Sequence, residues 1–246
     1  MAGHSKWDNI KHQKARQDAA RGKLFSKLTK EITMAARDEP DPGKNPKLAQ
    51  AMERAKQANM PKENIERAIK RATGELPGVT YEEYIYDGFG PYGVAVMVRV
   101  VTDNRNRAVA SIRNVFDDYG GDMDGSVDWI FERRGRVTAK LASEQDPDEV
   151  LMTAIDLGTE DMDEFDEEVQ IACPPEHVSD VKTGLEDQGV EITDAKVAMV
   201  PKTTVPLEGG DARKIVRFIE ALDDLEDVQE VYANFDVPDE ALAEVA

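Results

Sequence analysis

The chain has 246 residues, 40% of them hydrophobic and 33% charged, with a formal net charge of −19. This hydrophobic share suffices for packed cores and argues against an intrinsically disordered chain. The single cysteine, Cys173, excludes an internal disulfide, and no run of 18 apolar residues is present to span a bilayer.

Met1 to Ile10 lacks the apolar core of a secretion signal, so a cytoplasmic protein is expected. At roughly 150 residues per domain, the length allows one to three domains. The overall acidity would repel a polyanion, but the charge is unevenly placed. Residues 1–74 carry 17 Lys+Arg against 9 Asp+Glu, a balance of +8, and the remainder stands at −27. The first 30 residues hold 8 basic and 2 acidic side chains. With a Debye length of about 8 Å, distant acidic domains do not cancel a basic face.

Four helical segments are expected in the first 74 residues. Ser5 to Ala20 has only Trp7 and Ile10 as sizeable apolar residues, so a helix there must lean on a neighbour or a ligand. Leu24, Leu28, Ile32 and Ala35 recur at helical spacing after Gly22. The stretch DEPDPGKNP, from Asp38 to Pro46, is a turn-rich connector. Pro46 and Pro61 each suit the start of a short helix, and Gly74 stops the last one.

After Gly78 the periodicity changes. Strands are expected over Tyr81–Asp87 and Val94–Val101, a helix over Arg105–Tyr119, and a strand over Ser126–Phe131. A second set follows: a strand near Arg136–Lys140, a helix Asp148–Leu157, a strand Glu168–Cys173, a helix Glu176–Gln188 and a strand Val190–Val200. A helix Asp211–Leu222 and a strand Gln229–Phe235 close the chain. The first set has too few elements alone, so the final helix and strand are expected to return to the sheet of Val94–Val101, making the middle set an insertion.

Several patterns resemble chemical motifs. Gly88, Gly90 and Gly93 have dinucleotide-turn spacing but lead into a strand rather than a helix, and Pro91 removes a phosphate-binding donor, so a tight turn is expected. Asp122, Asp124 and Asp128 fall short of a calcium loop because Gly125 comes too early. The acidic run Glu160–Glu168 reads as a solvated loop. Cys173 and His177 are close in sequence, but a free cysteine is usually a small core residue. No catalytic residue, metal or cofactor is expected, and the chain is read as a non-enzyme.

The basic N-terminal segment is different. Lys6, Lys11, Lys14, Arg16, Arg21, Lys23, Lys27 and Lys30 recur every two to five residues, with His4, Trp7 and His12 interleaved. Cations neutralise phosphate, while flat rings can stack on unpaired bases. Trp7 could equally serve as the main core contact of its helix.

The opening MAGHSKWDNIKHQKARQDAARGKLFSKLTKEI, together with YDGFGPYGVAVMV, TDNRNRAVASIRNVF and GGDMDGSVDWIFERRG, resembles the YebC/PmpR family, whose members include the mitochondrial translational activator of cytochrome oxidase. The likeness runs through essentially the whole chain and weakens between Thr138 and Val200. It implies an α+β protein: a helical bundle at 1–75, a discontinuous ferredoxin-like α/β domain at 76–132 plus 204–246, and an inserted one at 133–203. It also implies a nucleic-acid role, with His4, Lys6, Trp7, Lys11, His12, Lys14, Arg16, Arg21 and Lys23 matching the family's positive opening. Asp103–Arg107 matches a second signature, in which Asp103 is read as a helix cap and Arg105 and Arg107 as phosphate contacts. Asp8 and Gln13 depart from the family pattern and lower the local charge.

The expected partner is ribosomal RNA, and with it the ribosome, or promoter DNA; a monomer is expected. The absence of a helix-turn-helix pattern and the charge of the body favour folded RNA. The alternative is a protein–protein adaptor using the acidic domains.

Overall fold

The structure is a computed structural model that describes residues 18–142, 147–159, 161–165 and 168–238. The fold is α+β, and the chain divides into two compact units: residues 128–204, and the remainder on both sides of them.

The larger unit opens with α1 (Asp18–Asp38), α2 (Pro46–Gln57) and α3 (Lys62–Ala72). Helix α1 runs through Gly22, where a helix start was expected. A glycine inside a helix costs about 1 kcal/mol, a modest opposition to the burial of Leu28, Ile32 and Ala36 further along the same helix. Those side chains meet Leu48, Ala51 and Ala55 of α2 and Ile65 and Ala68 of α3 in a small separate core. Asn45 caps α2: its side-chain oxygen accepts from the Leu48 N–H at 3.1 Å, and its amide donates to the carbonyls of Ala35 and Glu39. One side chain thus ties together the end of α1, the connector and the start of α2.

The same unit continues with β1 (Glu82–Phe89), β2 (Ala95–Thr102) and α4 (Arg105–Tyr119). It resumes after the insertion with β7 (Val205–Pro206), α7 (Gly209–Asp223), β8 (Val228–Ala233) and β9 (Phe235–Asp236). Strand β8 returns to pair antiparallel with β2, giving a sheet of order β1-β2-β8. The alternating valines Val96, Val98 and Val100 enter a core with Ile112 and Phe116 of α4 and Ile215, Phe218 and Ile219 of α7.

The dinucleotide-like glycines serve close approach. A Cβ at Gly88 would lie 2.4 Å from the Asp122 carbonyl oxygen, and one at Gly90 would lie 2.5 Å from the Phe218 ring. The turn after them is a short 3-10 segment, Pro91–Gly93, in which Tyr92 takes the left-handed conformation with φ 64°.

The inserted unit contains β3 (Phe131–Lys140), α5 (Pro147–Asp156), β4 (Asp161–Phe165), β5 (Glu168–Cys173), α6 (Val178–Glu186) and β6 (Glu191–Pro201). All pairings are antiparallel in the order β4-β5-β3-β6, the ferredoxin-like arrangement of a βαββαβ chain. Two expectations are corrected here. Residues 126–131 do not form a strand of their own: Asp128–Ile130 is a 3-10 turn, with Asp128 accepting from the Trp129 N–H at 2.8 Å, and Phe131 opens one ten-residue strand. The acidic run read as a loop contains β4, because the backbone of Asp161–Phe165 completes the sheet edge and Met162 packs on the core of the unit.

Candidate nucleic-acid interface

Lys23, Lys27 and Lys30 fall at i, i+4 and i+7 of α1 and so share one face. That face meets the turn between α7 and β8. Lys23 pairs with Asp224 at 2.7 Å, Lys27 with Asp223 at 2.9 Å and Lys30 with Asp227 at 3.0 Å. Side-chain exposure of the three lysines falls from 55% to 16% to 5%. The outer pair is a screened surface contact worth about 0–1 kcal/mol. The inner one is structural: Lys30 also donates to the Glu226 carbonyl at 2.9 Å and lies 5.8 Å from the centre of the Tyr81 ring.

Asp227 is the hub of this clasp. Besides Lys30 it accepts from Arg107 through both oxygens, Nε to Oδ2 at 3.0 Å and an Nη to Oδ1 at 2.9 Å, a bidentate fork. Burial opposes ionisation of this carboxyl, but hydrogen bonds from Arg107 and Lys30 outweigh it and hold its pKa below the usual Asp value. Hydrogen bonds to Asp227 and Asp103 in turn push the Arg107 pKa up. Tyr81, beside the cluster, has its phenol pKa raised by burial and then by the negative potential of Asp103.

The segment Asp103–Arg107 builds the start of α4 differently from the sequence expectation. Asn104, not Asp103, is the cap: its side-chain oxygen accepts from the Arg107 N–H at 3.1 Å. Asp103 instead accepts from the Arg107 guanidinium at 2.8 Å. Arg105 is exposed and sits 4.9 Å from the centre of the Tyr84 ring, a cation–π contact.

The remaining expected contacts divide in two. Arg21 is exposed on α1. His4, Lys6, Trp7, Lys11, His12, Lys14 and Arg16 lie outside the described residues. The acidic partners Asp223, Asp224 and Asp227 were not singled out in the sequence. Their only signal was the DDLED run after an amphipathic helix, which reads as an ordinary solvated turn until α1 is seen against it.

Among the described residues, the chemistry-like motifs of the second half do not assemble a site. Cys173 is fully buried, and that burial raises its thiol pKa. No group of three or more His, Cys, Asp or Glu able to hold a metal ion occurs among the described residues. No helix among the described residues is long and apolar enough to cross a membrane.

Comparison with known proteins agrees with this architecture. Residues 5–75 match the model of the TACO1/YebC protein N-terminal domain, and residues 81–235 that of the TACO1/YebC second and third domain. A probable transcriptional regulatory protein of Dictyoglomus turgidum is 51% identical, covering 98% of both chains. One of Thermotoga maritima is 50% identical over 100% of this chain and 98% of its own. The crystal structure of a conserved hypothetical protein from Aquifex aeolicus superimposes with a TM-score of 0.82 at 47% identity, covering 90% of this chain and 92% of that one. Family models that together span nearly the whole length, with relatives at half identity, lead to one conclusion: the chain belongs to the TACO1/YebC family.

Proposed function

We propose that this protein is a nucleic-acid-binding regulator of gene expression, and that its basic N-terminal domain makes the contact while the acidic α/β domains stand clear. The carrying observation is the charge partition, +8 over residues 1–74 against −27 over the rest. A polyanion is attracted to the first part and repelled by the second, which orients the protein on its target. The relatives' name, probable transcriptional regulatory protein, supports a role in gene expression.

Within this reading, RNA suits the charge map better than a duplex. A body at −27 is poorly suited to lie along DNA, whereas a short cationic domain can enter a fold of RNA with the body outside. The contact is carried by Lys6, Lys11, Lys14, Arg16 and Arg21, with His4, Trp7 and His12 beside them and Arg105 as an outlying cation. Lys23, Lys27, Lys30 and Arg107 take a smaller part than the sequence suggests, since Asp224, Asp223, Asp227 and Asp103 already pair with them.

Ribosome co-sedimentation at moderate salt, set beside gel shifts on specific and scrambled duplexes, tests the reading. Co-sedimentation abolished by charge reversal of Lys11, Lys14 and Arg16 supports it. A sequence-specific duplex shift without ribosome binding would replace RNA by promoter DNA. Binding to neither polymer would leave the adaptor role of the acidic domains.

A further inference from the structure

The helical domain sorts its cations. Among the described residues of α1 and the connector, Arg21, Lys23, Lys27, Lys30, Arg37 and Lys44 are all engaged by partners. Arg54 of α2 is held by Glu31, and Lys62 of α3 by Glu66. Five described cations of the helical domain have neither an ion pair nor a side-chain hydrogen bond: Lys47 and Lys56 on α2, and Arg67, Lys70 and Arg71 on α3. The last three lie at i, i+3 and i+4, so they form one stripe, and all three are exposed.

The segment after α3 holds that stripe in place, and the helix keeps a positive balance there, with Lys62, Arg67, Lys70 and Arg71 against Glu63 and Glu66. Glu66 is occupied by Lys62, and Glu75 accepts from the Thr73 hydroxyl at 3.0 Å. The Lys70 carbonyl accepts from the Leu76 N–H at 3.1 Å, folding the chain after α3 back on its last turn. There Gly78 approaches the aliphatic stem of Arg71 so closely that a Cβ would stand 3.3 Å from it. Leu76 and Val79 are exposed apolar residues on the same returning segment. A helix dipole would favour Lys70 and Arg71 in the last turn, but it gives no reason for Arg67, one turn earlier.

We infer that the exposed face of α3, through Arg67, Lys70 and Arg71, is a phosphate-binding surface for the backbone of folded RNA. The inference rests on the nucleic-acid reading above and adds a surface to it. Side chains about 5–6 Å apart along the helix can address successive phosphates of one strand. The lysine face of α1 is then the wall that locks the helical domain to the α/β domain, and α3 is the face turned to the polymer.

The test uses the full chain and a fluorescently labelled RNA hairpin, with affinity measured by anisotropy across a salt series. In Arg67→Gln/Lys70→Gln/Arg71→Gln, the log–log salt slope should shrink by about 2 to 3, and affinity near 0.1 M salt should fall roughly tenfold or more. Two controls fix the meaning. Lys182→Gln with Glu186→Gln removes an existing pair of α6 without changing net charge and should leave affinity within about twofold of the parent. Arg113→Gln/Arg213→Gln/Arg217→Gln removes the same charge from the α/β domain and should leave the slope unchanged. Arg67→Lys/Arg71→Lys should retain the parent slope, and an unchanged melting temperature in each variant shows an intact fold. A triple α3 variant that binds like the parent, or an α/β control that loses as much, overturns the assignment of α3 alone. A parent protein that does not bind the hairpin overturns the RNA reading and this surface with it.

Discussion

The Lys30 ammonium and the Asp227 carboxylate meet at 3.0 Å although 197 positions separate them, and both side chains are shielded to below a tenth of full exposure. Arg107 shares the same carboxylate. One acidic group therefore contacts two cations, one from the helical domain and one from the start of α4, and Asp103 supplies the second negative charge beside Arg107.

The two partners differ in what their loss leaves behind. Asp227→Ala strands the buried Lys30 without a counter-charge and leaves Arg107 with Asp103 alone, and should destabilise the protein by about 3–5 kcal/mol. Lys30→Met leaves Asp227 with its bidentate Arg107 contact and should cost clearly less. Urea denaturation of the three proteins measures the difference; equal losses would show that Asp227 is not the hub.

The same carboxylate makes stability depend on pH. Its folded pKa is depressed, so it contributes stability that is fully present above the unfolded Asp value of about 3.9 and is lost as pH falls through that value towards the folded one. The stability gap between the parent and Asp227→Asn should be constant near neutral pH and close below about pH 4. A gap that persists undiminished at pH 3 would contradict the depressed pKa.

Glycines offer a paired contrast. At Gly88 a methyl group would meet the Asp122 carbonyl oxygen at 2.4 Å, so Gly88→Ala must displace backbone and should cost about 1–3 kcal/mol. At Gly22, exposed within α1, nothing lies within 4 Å of the added carbon. Gly22→Ala should stabilise by about 0.5–1 kcal/mol. Thermal melts of the two variants should therefore shift in opposite directions.

The lone thiol reports on the inserted unit. Cys173 is fully buried with its pKa raised, so an aromatic disulfide reagent should label it slowly in the native protein and rapidly in denaturant. Equal labelling rates in the two conditions would show that the β3–β5 region opens freely.

Most of the α/β architecture was legible because its strands are β-branched runs and its helices are strongly periodic. Arg105–Tyr119 emerges with the expected bounds, and the return of the last strand to Val94–Val101 followed from counting elements. Where the reading failed, a local cue was overruled by a distant partner. Gly22 looked like a break, yet α1 passes through it. Asp161–Phe165 looked like a solvated loop, yet β5 offers it an edge to pair with. The site was harder, since charge spacing reveals a cationic face but not what already occupies it. Lys27 and Lys30 have the same sequence signature as Arg67 and Lys70, and only their contacts with Asp223 and Asp227 tell them apart.

Strand β8 lies far downstream of β2 in the chain, and it is the strand that pairs with the edge of β2 turned away from β1. Until Ala233 has left the exit tunnel, the valine-rich edge of β2 has no neighbour on that side, and Lys30 has no counter-ion. A chain lacking β8 would therefore present a sticky strand edge of the kind that seeds aggregation. Helix α1 and the central strand β2 thus both depend on the same downstream stretch, Asp223 to Ala233, for a counter-ion and a neighbour.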